Sequence, residues 1–407
     1  MSLDAKVVWS EGMFLRTQHF QQQDRYVERL IRDSCLGLRS YGWGFGSLRL
    51  DHGSLQNGKI AIAEAVGRFP DGTPFDIPET VDHPPALELD SEAREGTIYL
   101  ALAEQQAGAK SIDPIDANDS GARYRGNEYE VRDTIAGFEG REPIEVAKLK
   151  LRLLHESQDL AGYVTLGLTR IKGVQPDNTV LIDGEFIPPG LTIGANETIP
   201  GFLEEIDGRL NSIAADRLGY VLQPQARGTA EVQDLLVLQL VNRFHPVLHH
   251  LLAQRHGHPE DIYAFLLSLT GEAATFGANE RRPPELPVYE HGDPRLCFRP
   301  LMQILRGYLA EVARPERKAV PIPLRKHRQP VWTTEFENMR LLAESTIVLA
   351  VQAAVPAERL RQLLPRQTKI GPVEELQELV VSALPGIELT PLAVAPRQVP
   401  YHAGMVY

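Results

Sequence analysis

Pro188-Pro189-Gly190 divides this chain of 407 residues into two kinds of sequence. Upstream of it the apolar period is two. Tyr163-Val164-Thr165-Leu166-Gly167-Leu168-Thr169-Arg170-Ile171 is the clearest run, and residues 59–65, 97–103, 129–135 and 144–154 follow the same pattern. Such alternation sets one face of a strand against a core. Turn clusters separate the runs: Pro70-Asp71-Gly72, Asp82-His83-Pro84-Pro85 and Asp119-Ser120-Gly121. Short strands punctuated by Gly and Pro predict a β-sandwich. One helix precedes them, at residues 24–38, where Tyr26, Val27, Leu30, Ile31, Cys35 and Leu38 recur at helical spacing, with Asp24 expected as its N-cap.

Downstream the period becomes helical. Phe202, Ile206, Leu210, Ile213 and Leu218 mark one helix, and Val232 through Leu252 a longer one with Pro246 as a possible kink. Pro259 opens a third at a first-turn position, and Leu301, Ile304, Leu305, Tyr308, Leu309 and Val312 mark a fourth. Four helices with mostly short connections predict an antiparallel bundle. A basic, Pro-rich linker is expected at residues 315–330. Beyond it, strand-like stretches at 345–353, 386–392 and 404–407 and helices at 356–364 and 373–384 predict a small α/β domain. The fold class is therefore multi-domain α+β, with an N-terminal β-sandwich at 1–190, a central antiparallel four-helix bundle at 191–314 and a small C-terminal α/β domain at 315–407.

Composition narrows the function. Hydrophobic residues make up 43% and charged residues 24%, as in ordinary globular proteins. No apolar run approaches the ~18 residues a membrane span needs, so no direct membrane insertion is expected. A net charge of −12 argues against a nucleic-acid partner. Residues 51–130 hold 16 acidic side chains against 6 basic ones, whereas Arg314, Arg317, Lys318, Arg325, Lys326 and Arg328 form a basic stretch. That asymmetry fits different partners at the two ends. Cys35 and Cys297 are the only cysteines, expected as reduced thiols in a cytosolic compartment.

Motifs that carry chemistry are scarce. Gly42-Trp43-Gly44-Phe45-Gly46 lacks the following helix that a phosphate loop requires and reads as structural. Asp116-Ala117-Asn118-Asp119-Ser120-Gly121 opens like a calcium loop, but Asn127 stands where the bidentate Glu belongs. His245, His249, His250, His256 and His258 form a cluster in which His245 and His249 share a helix face at i, i+4. With no Cys or paired carboxylate at ligand spacing, the polar face of a helix is the better reading. No metal, cofactor or catalytic residue is expected.

The N-terminus is unusual in another way. Trp9, Met13, Phe14, Leu15 and Phe20 stand close together where chains are commonly polar. Such side chains should be buried, in the fold or under a partner. The segment has no marks of an export signal. Phe20, just before the first helix, is expected in the domain's own core.

The same segment carries a resemblance. Trp9-Ser10-Glu11-Gly12-Met13-Phe14-Leu15-Arg16 and Gln18-His19-Phe20-Gln21-Gln22-Gln23-Asp24-Arg25-Tyr26 resemble the opening of the TssK family of type VI secretion baseplate subunits. Tyr41-Gly42-Trp43-Gly44-Phe45, Pro70-Asp71-Gly72-Thr73-Pro74-Phe75, His258-Pro259-Glu260-Asp261-Ile262-Tyr263, Tyr289-Glu290-His291 and Pro396-Arg397-Gln398-Val399-Pro400-Tyr401 extend it in order along the chain. The resemblance implies a non-enzymatic adaptor that works as a homotrimer in the cytoplasm, at the cytosolic face of the inner membrane. Its N-terminal domain, akin to the shoulder of phage receptor-binding proteins, would dock on TssF and TssG. The helices would form a trimer neck, and the last domain would meet the cytoplasmic parts of TssL and TssM. Family members continue beyond the Pro-Arg-x-x-Pro-Tyr segment, so the chain is expected to end inside its last domain. Candidate interaction residues are Trp9, Met13, Phe14, Leu15 and Phe20 at one end and Arg325, Lys326 and Arg328 at the other. The alternatives are a phage-type receptor-binding or adhesion protein and a hydrolase using His245 and His249.

Overall fold

A computed structural model describes residues 4–89, 95–106, 108–115, 120–135, 140–221, 229–277, 281–313, 320, 322–336, 345–392 and 405–406. The fold is mixed α and β, and the chain divides into two compact units: residues 1–212 with 240–312, and 213–239 with 313–407.

The first unit opens with α1 (Thr17–Leu36), followed by β1 (Gly44–Leu50), the short α2 (His52–Leu55), β2 (Lys59–Ile60), β3 (Ile62–Arg68), β4 (Pro74–Ile77) and β5 (Leu87–Glu88). Next come β6 (Gly96–Ala103), β7 (Ile112–Asp113), β8 (Tyr124–Arg132), β9 (Arg141–Leu149), β10 (Leu151–His155), β11 (Tyr163–Val174) and β12 (Val180–Ile182). One antiparallel sheet has the order β1-β3-β4 and a second β10-β6-β11-β12. Their inward residues share one core: Phe45, Ile62, Ala65, Phe75 and Ile77 from the first, and Ile98, Leu100, Leu102, Leu153, Leu166, Leu168 and Ile171 from the second. β6 is central in its sheet and buried on both faces, which explains its unbroken apolar run Ile98–Ala103 in Thr-Ile-Tyr-Leu-Ala-Leu-Ala.

Several boundaries move from their sequence expectation. Residues 144–154 are two strands, not one. The break is at Lys150, whose backbone N–H donates to the Arg123 carbonyl at 2.9 Å and whose Nζ reaches Asp113 Oδ2 at 3.0 Å. A buried Asp113, held by Lys150 and Ser120, thus interrupts the alternation. The first helix begins at Thr17, so Asp24 lies inside it. Its N-cap is Arg16, whose N–H donates to His19 Nδ1 at 3.0 Å. A local side-chain acceptor three residues on starts the helix earlier than apolar periodicity suggests. Residues 116–119 of the calcium-like stretch lie outside the described residues.

The glycine motif is structural. Gly44 has φ +119, and a Cβ there would lie 2.6 Å from the Pro189 carbonyl oxygen. The close approach lets Phe45 N–H donate to Pro189 O and Leu191 N–H to Phe45 O, both at 2.8 Å. The Pro-Pro-Gly segment that divides the sequence is therefore stitched to the first strand.

Four long helices follow: α3 (Thr198–Val221), α4 (Thr229–Gln254), α5 (Pro259–Ala274) and α6 (Arg295–Ala313). α4 runs through Pro246 without a break. Phe244 of α4 meets Phe265 of α5 edge-on at 5.7 Å between centroids, and Arg306 of α6 pairs with Glu205 of α3 at 2.6 Å.

In the second unit, Arg217 and Asp234 form a buried ion pair at 2.7 Å between the ends of α3 and α4 that it contains. The region expected as a linker instead holds a hairpin, β13 (Arg325–Arg328) with β14 (Val331–Thr333). β15 (Val351–Gln352) pairs with β16 (Met405–Val406), and α7 (Ala357–Gln367) and α8 (Leu376–Val381) complete the unit. Residues 386–392 are not a strand. The Ile387 N–H donates to the Ile370 carbonyl at 2.8 Å, and among the described residues the alternating apolar side chains there find no ladder.

Gly44→Ala combines a disfavoured φ with a backbone clash, and should lower stability by roughly 3 kcal/mol. Gly42→Ala meets only an ordinary 3.6 Å contact with Arg39 O and should stay within about 1 kcal/mol of the parent. Urea unfolding of the two variants measures the contrast.

Candidate protein-interaction surfaces

The N-terminal strip is on the surface. Phe14 is 89% exposed, Phe20 53% and Trp9 49%. Leu15 is also exposed, and only Met13 is half-buried. This corrects the expectation that Phe20 lies in the domain's own core. Trp9 and Phe20 approach each other at 6.4 Å, and Trp9 and His19 at 6.3 Å. Trp9 and Phe20 thus meet each other on the surface rather than in the core. No residue of α1 is buried, and Val27, Leu30 and Ile31 continue the exposed apolar surface along it. A helix that keeps its apolar stripe in water lacks the packing that normally stabilises one.

α1 is nevertheless held at defined points. Gln22 Nε2 donates to the Ala5 carbonyl at 2.8 Å, and Arg29 pairs with Asp4 at 3.0 Å, tying the leading segment back along the helix. Near its C-terminal end, α1 rests on the turn between β3 and β4. A Cβ on Gly72 (φ +89) would lie 2.6 Å from Arg32 Cγ and 3.3 Å from Leu36 Cδ1. That turn is fixed from beneath by the buried Arg123, which donates to Asp71 Oδ2 at 2.6 Å, Thr73 Oγ1 at 2.5 Å and the Ala103 carbonyl at 2.6 Å. Burial of Asp71 works against its ionisation, but the Arg123 charge prevails and holds the carboxyl below its usual range.

The loop from α1 to β1 is fixed by two histidines. His258 Nε2 donates to the Tyr41 carbonyl at 3.1 Å, while its Nδ1 accepts from Glu260 N–H at 3.2 Å, capping α5. His291 Nε2 donates to the Trp43 carbonyl at 2.8 Å, and its Nδ1 accepts from Tyr289 O–H at 2.7 Å. Every ring nitrogen is used, and each imidazole carries one proton. The two rings stack at 5.3 Å, and Tyr41 also stacks on His291 at 5.0 Å. Tyr41 itself has φ +55, a conformation that a bulky residue adopts only when its surroundings enforce it. Burial dominates the electrostatics. It lowers both histidine pKa values, that of His291 to about 4, with His258 and Arg39 adding to the effect on His291. At His258 the hydrogen bond to the Tyr41 carbonyl opposes it first, then Asp261 and Glu260, and Arg39 itself pairs with Asp261 at 2.6 Å.

The histidine cluster of the sequence is thus dispersed in role. His258 is a cap and a loop anchor. His245 lies 3.2 Å from Asp207 without hydrogen-bond alignment, and its ring is 6.4 Å from that of His249. His249, His250 and His256 are exposed. Among the described residues no three His, Cys, Asp or Glu side chains gather as metal ligands. A groove of about 300 Å³ beside the start of α3 has an apolar floor of Ile187, Phe202, Phe298 and Met302. Its guanidinium groups are already engaged, Arg299 by Glu185, Arg306 by Glu205 and Arg295 by Asp183 and Asp293.

Two further surfaces stand out. The β8–β9 ribbon exposes Tyr129, Val131 and Ile144, while Glu128 faces Glu145 and Arg132 faces Arg141 across the strands. In the second unit, Arg325, Lys326 and Arg328 are all exposed on β13, and Trp332 beside them is 58% exposed. Trp332 was not among the residues singled out from sequence. Its signal was the β-rich Val331-Trp332-Thr333 just after Gln329-Pro330. Among the described residues no helix is long and apolar enough to cross a membrane.

The chain is similar to components of a bacterial secretion machine. Residues 19–407 match the family of bacterial type VI secretion proteins that takes in EvfL, ImpJ and VasE, and the chain belongs to that family. It is 42% identical over 409 residues to TssK1, a type VI secretion system baseplate component of Pseudomonas aeruginosa, covering 100% of this chain and 91% of the relative. A crystal structure of TssK shares the fold with a TM-score of 0.73 at 36% identity, over 99% of this chain and 91% of that one. A chain of the TssK–TssF–TssG baseplate subcomplex, solved by cryo-electron microscopy, matches with a TM-score of 0.66 at 27% identity, over 75% of this chain and 99% of that one.

The histidine pair sets a pH dependence. Above pH 6.5 both rings are neutral in folded and unfolded chains alike, and the full stability is present. As pH falls from 6.5 towards 4, the unfolded chain takes up protons that the buried rings refuse, so stability is lost. For His291 this amounts to about 3 kcal/mol. Urea unfolding at pH 7.5 and 5 should show a loss in the parent that is smaller in His291→Gln.

Proposed function

We propose that this chain is a non-enzymatic structural adaptor of the type VI secretion baseplate. It acts as a homotrimer that links the baseplate wedge to the inner-membrane complex. The observation that carries this reading is the exposed apolar strip from Trp9 to Phe20, continued along α1, on a chain whose relatives are baseplate components. In this reading residues 1–190 dock on TssF and TssG, which share a baseplate subcomplex with a similar TssK chain. Trp9, Met13, Phe14, Leu15 and Phe20 are the anchors, being aromatic and large apolar side chains of the kind that dominate binding energy. Residues 191–314 form a four-helix-bundle neck. The contacts of Phe244 with Phe265 and of Arg306 with Glu205 support helix-on-helix packing there. Residues 315–407 turn towards the cytoplasmic parts of TssL and TssM, at the cytosolic face of the inner membrane. Arg325, Lys326 and Arg328 belong to that end.

The trimer draws support from α4. Val237, Leu240, Val241, Phe244 and Leu248 are buried, yet Val232, Leu235, Leu236 and Val247 remain exposed on the same helix. A helix with apolar residues on more than one side serves a core and a subunit seam together.

Co-purification with TssF and TssG tests the docking end. The double variant Phe14→Ser, Phe20→Ser removes side chains that touch no core, so its circular dichroism and melting temperature should match the parent. Its TssF–TssG binding should fall at least about tenfold. Retention of full binding in the folded variant would show that the strip is not the anchor. Light scattering should give three times the 45.3 kDa chain mass; a monodisperse monomer at micromolar concentration would count against the neck.

A further inference from the structure

We propose that the β13–β14 hairpin is a docking site for an anionic phospholipid surface. From Ile322 to Thr334 the sequence reads Ile-Pro-Leu-Arg-Lys-His-Arg-Gln-Pro-Val-Trp-Thr-Thr, with no carboxylate, in a chain of net charge −12. Arg325, Lys326 and Arg328 are exposed, and among the described residues none of the three is held in an ion pair. Exposed cations with no ion-pair partner among the described residues, in an acidic protein, mark a surface for an anionic partner.

The geometry favours a headgroup layer over a folded acidic protein. Arg325 and Lys326 are neighbours on a strand, so their side chains leave from opposite faces of a two-stranded ribbon. A rigid protein lies against one face, whereas a layer of headgroups surrounds a ribbon that enters it. The apolar complement is on the same element. Trp332 stands directly across from Lys326 and is 58% exposed, and Leu324 is exposed at the base of the hairpin. An indole beside cations is the pairing found at the membrane–water boundary, where ring and ammonium or guanidinium sit at headgroup depth. The ribbon is held as a unit at its base, where Thr334 Oγ1 donates to the Pro323 carbonyl at 3.1 Å. Each cation near an anionic bilayer strengthens binding about fivefold, so the three together supply about 100-fold. Contact from one hairpin is weak, and several hairpins presented at once to one surface multiply it.

The adaptor role supplies only the setting, a chain end turned towards the inner membrane, and the vesicle assay needs neither TssF nor TssG. Failure here therefore leaves the docking reading standing, and the reverse holds too. The test is flotation of the full chain with vesicles containing phosphatidylglycerol, against vesicles of phosphatidylcholine alone. Binding is expected only to the first, weakening with added salt and falling about 100-fold in the Arg325→Gln, Lys326→Gln, Arg328→Gln variant. Tryptophan emission should shift to the blue on binding in the parent and much less in Trp332→Phe. These positions are exposed, so unchanged circular dichroism serves as the folding control. Equal binding to both vesicle types, or undiminished binding by the triple variant, would overturn the proposal. So would capture of poly-glutamate by the three cations without capture of anionic vesicles, which would assign the hairpin to an acidic protein.

Discussion

The carbonyl oxygens of Tyr41 and Trp43 are bonded beneath the end of α1, and each receives its hydrogen bond from a histidine distant in sequence. This pair of bonds governs the geometry of the segment between α1 and β1. An orphaned buried carbonyl costs about 1–3 kcal/mol, and a positive φ at Tyr41 adds to the demand. The two imidazoles meet both, and the stack with Tyr41 and the edge of Trp43 fills the space around them. Because each ring both donates and accepts, the arrangement tolerates only the neutral form. His258 also caps α5. The exit of α1 and the start of a long helix in the same unit are thereby fixed by one side chain.

A second fixed point lies on the other side of α1. The guanidinium of Arg123 ties the β3–β4 turn to the carbonyl end of β6, and α1 rests on that turn through Arg32 and Leu36. With its C-terminal half supported and its leading segment strapped back by Asp4 and Ala5, α1 offers its apolar stripe without needing a core beneath it. The N-terminal side chains are therefore displayed on a prepared frame, not left on a loose tail. Pre-ordering of this kind lowers the entropy lost on binding.

Much of this was legible from residue order, and the failures have physical causes. Helices α3 to α6 announced themselves because their buried residues recur at 3.6, as with Leu203, Ile206, Leu210 and Ile213. Strands β6 and β11 were legible from their apolar runs, and Gly44 from its place in a motif with no following helix. Phe20 was misjudged because hydrophobicity reports a preference for burial without saying whose surface does the burying. The hairpin at Arg325 was missed because Pro and cations are linker-like, and only strand pairing reveals that they share a ribbon. His245 and His249, close in sequence, read as the polar face of a helix. The pair that works together, His258 and His291, is joined only by folding. Residues 386–392 alternate like a strand but have no strand neighbour among the described residues, and alternation alone cannot supply one.

Gly72 has a consequence of a different kind. It sits in what reads as an ordinary Pro-Asp-Gly turn, where any residue that tolerates a positive φ would serve. Its lack of a side chain is demanded not only by the turn but also by Arg32 and Leu36 of α1 pressing on it. An Asn or Asp there would satisfy the turn and still push the helix away. The position is thus answerable to two masters, and its sequence record across related chains should be written jointly with that of Arg32 and Leu36. Where the helix face carries smaller residues at those two places, the turn is free to lose its glycine.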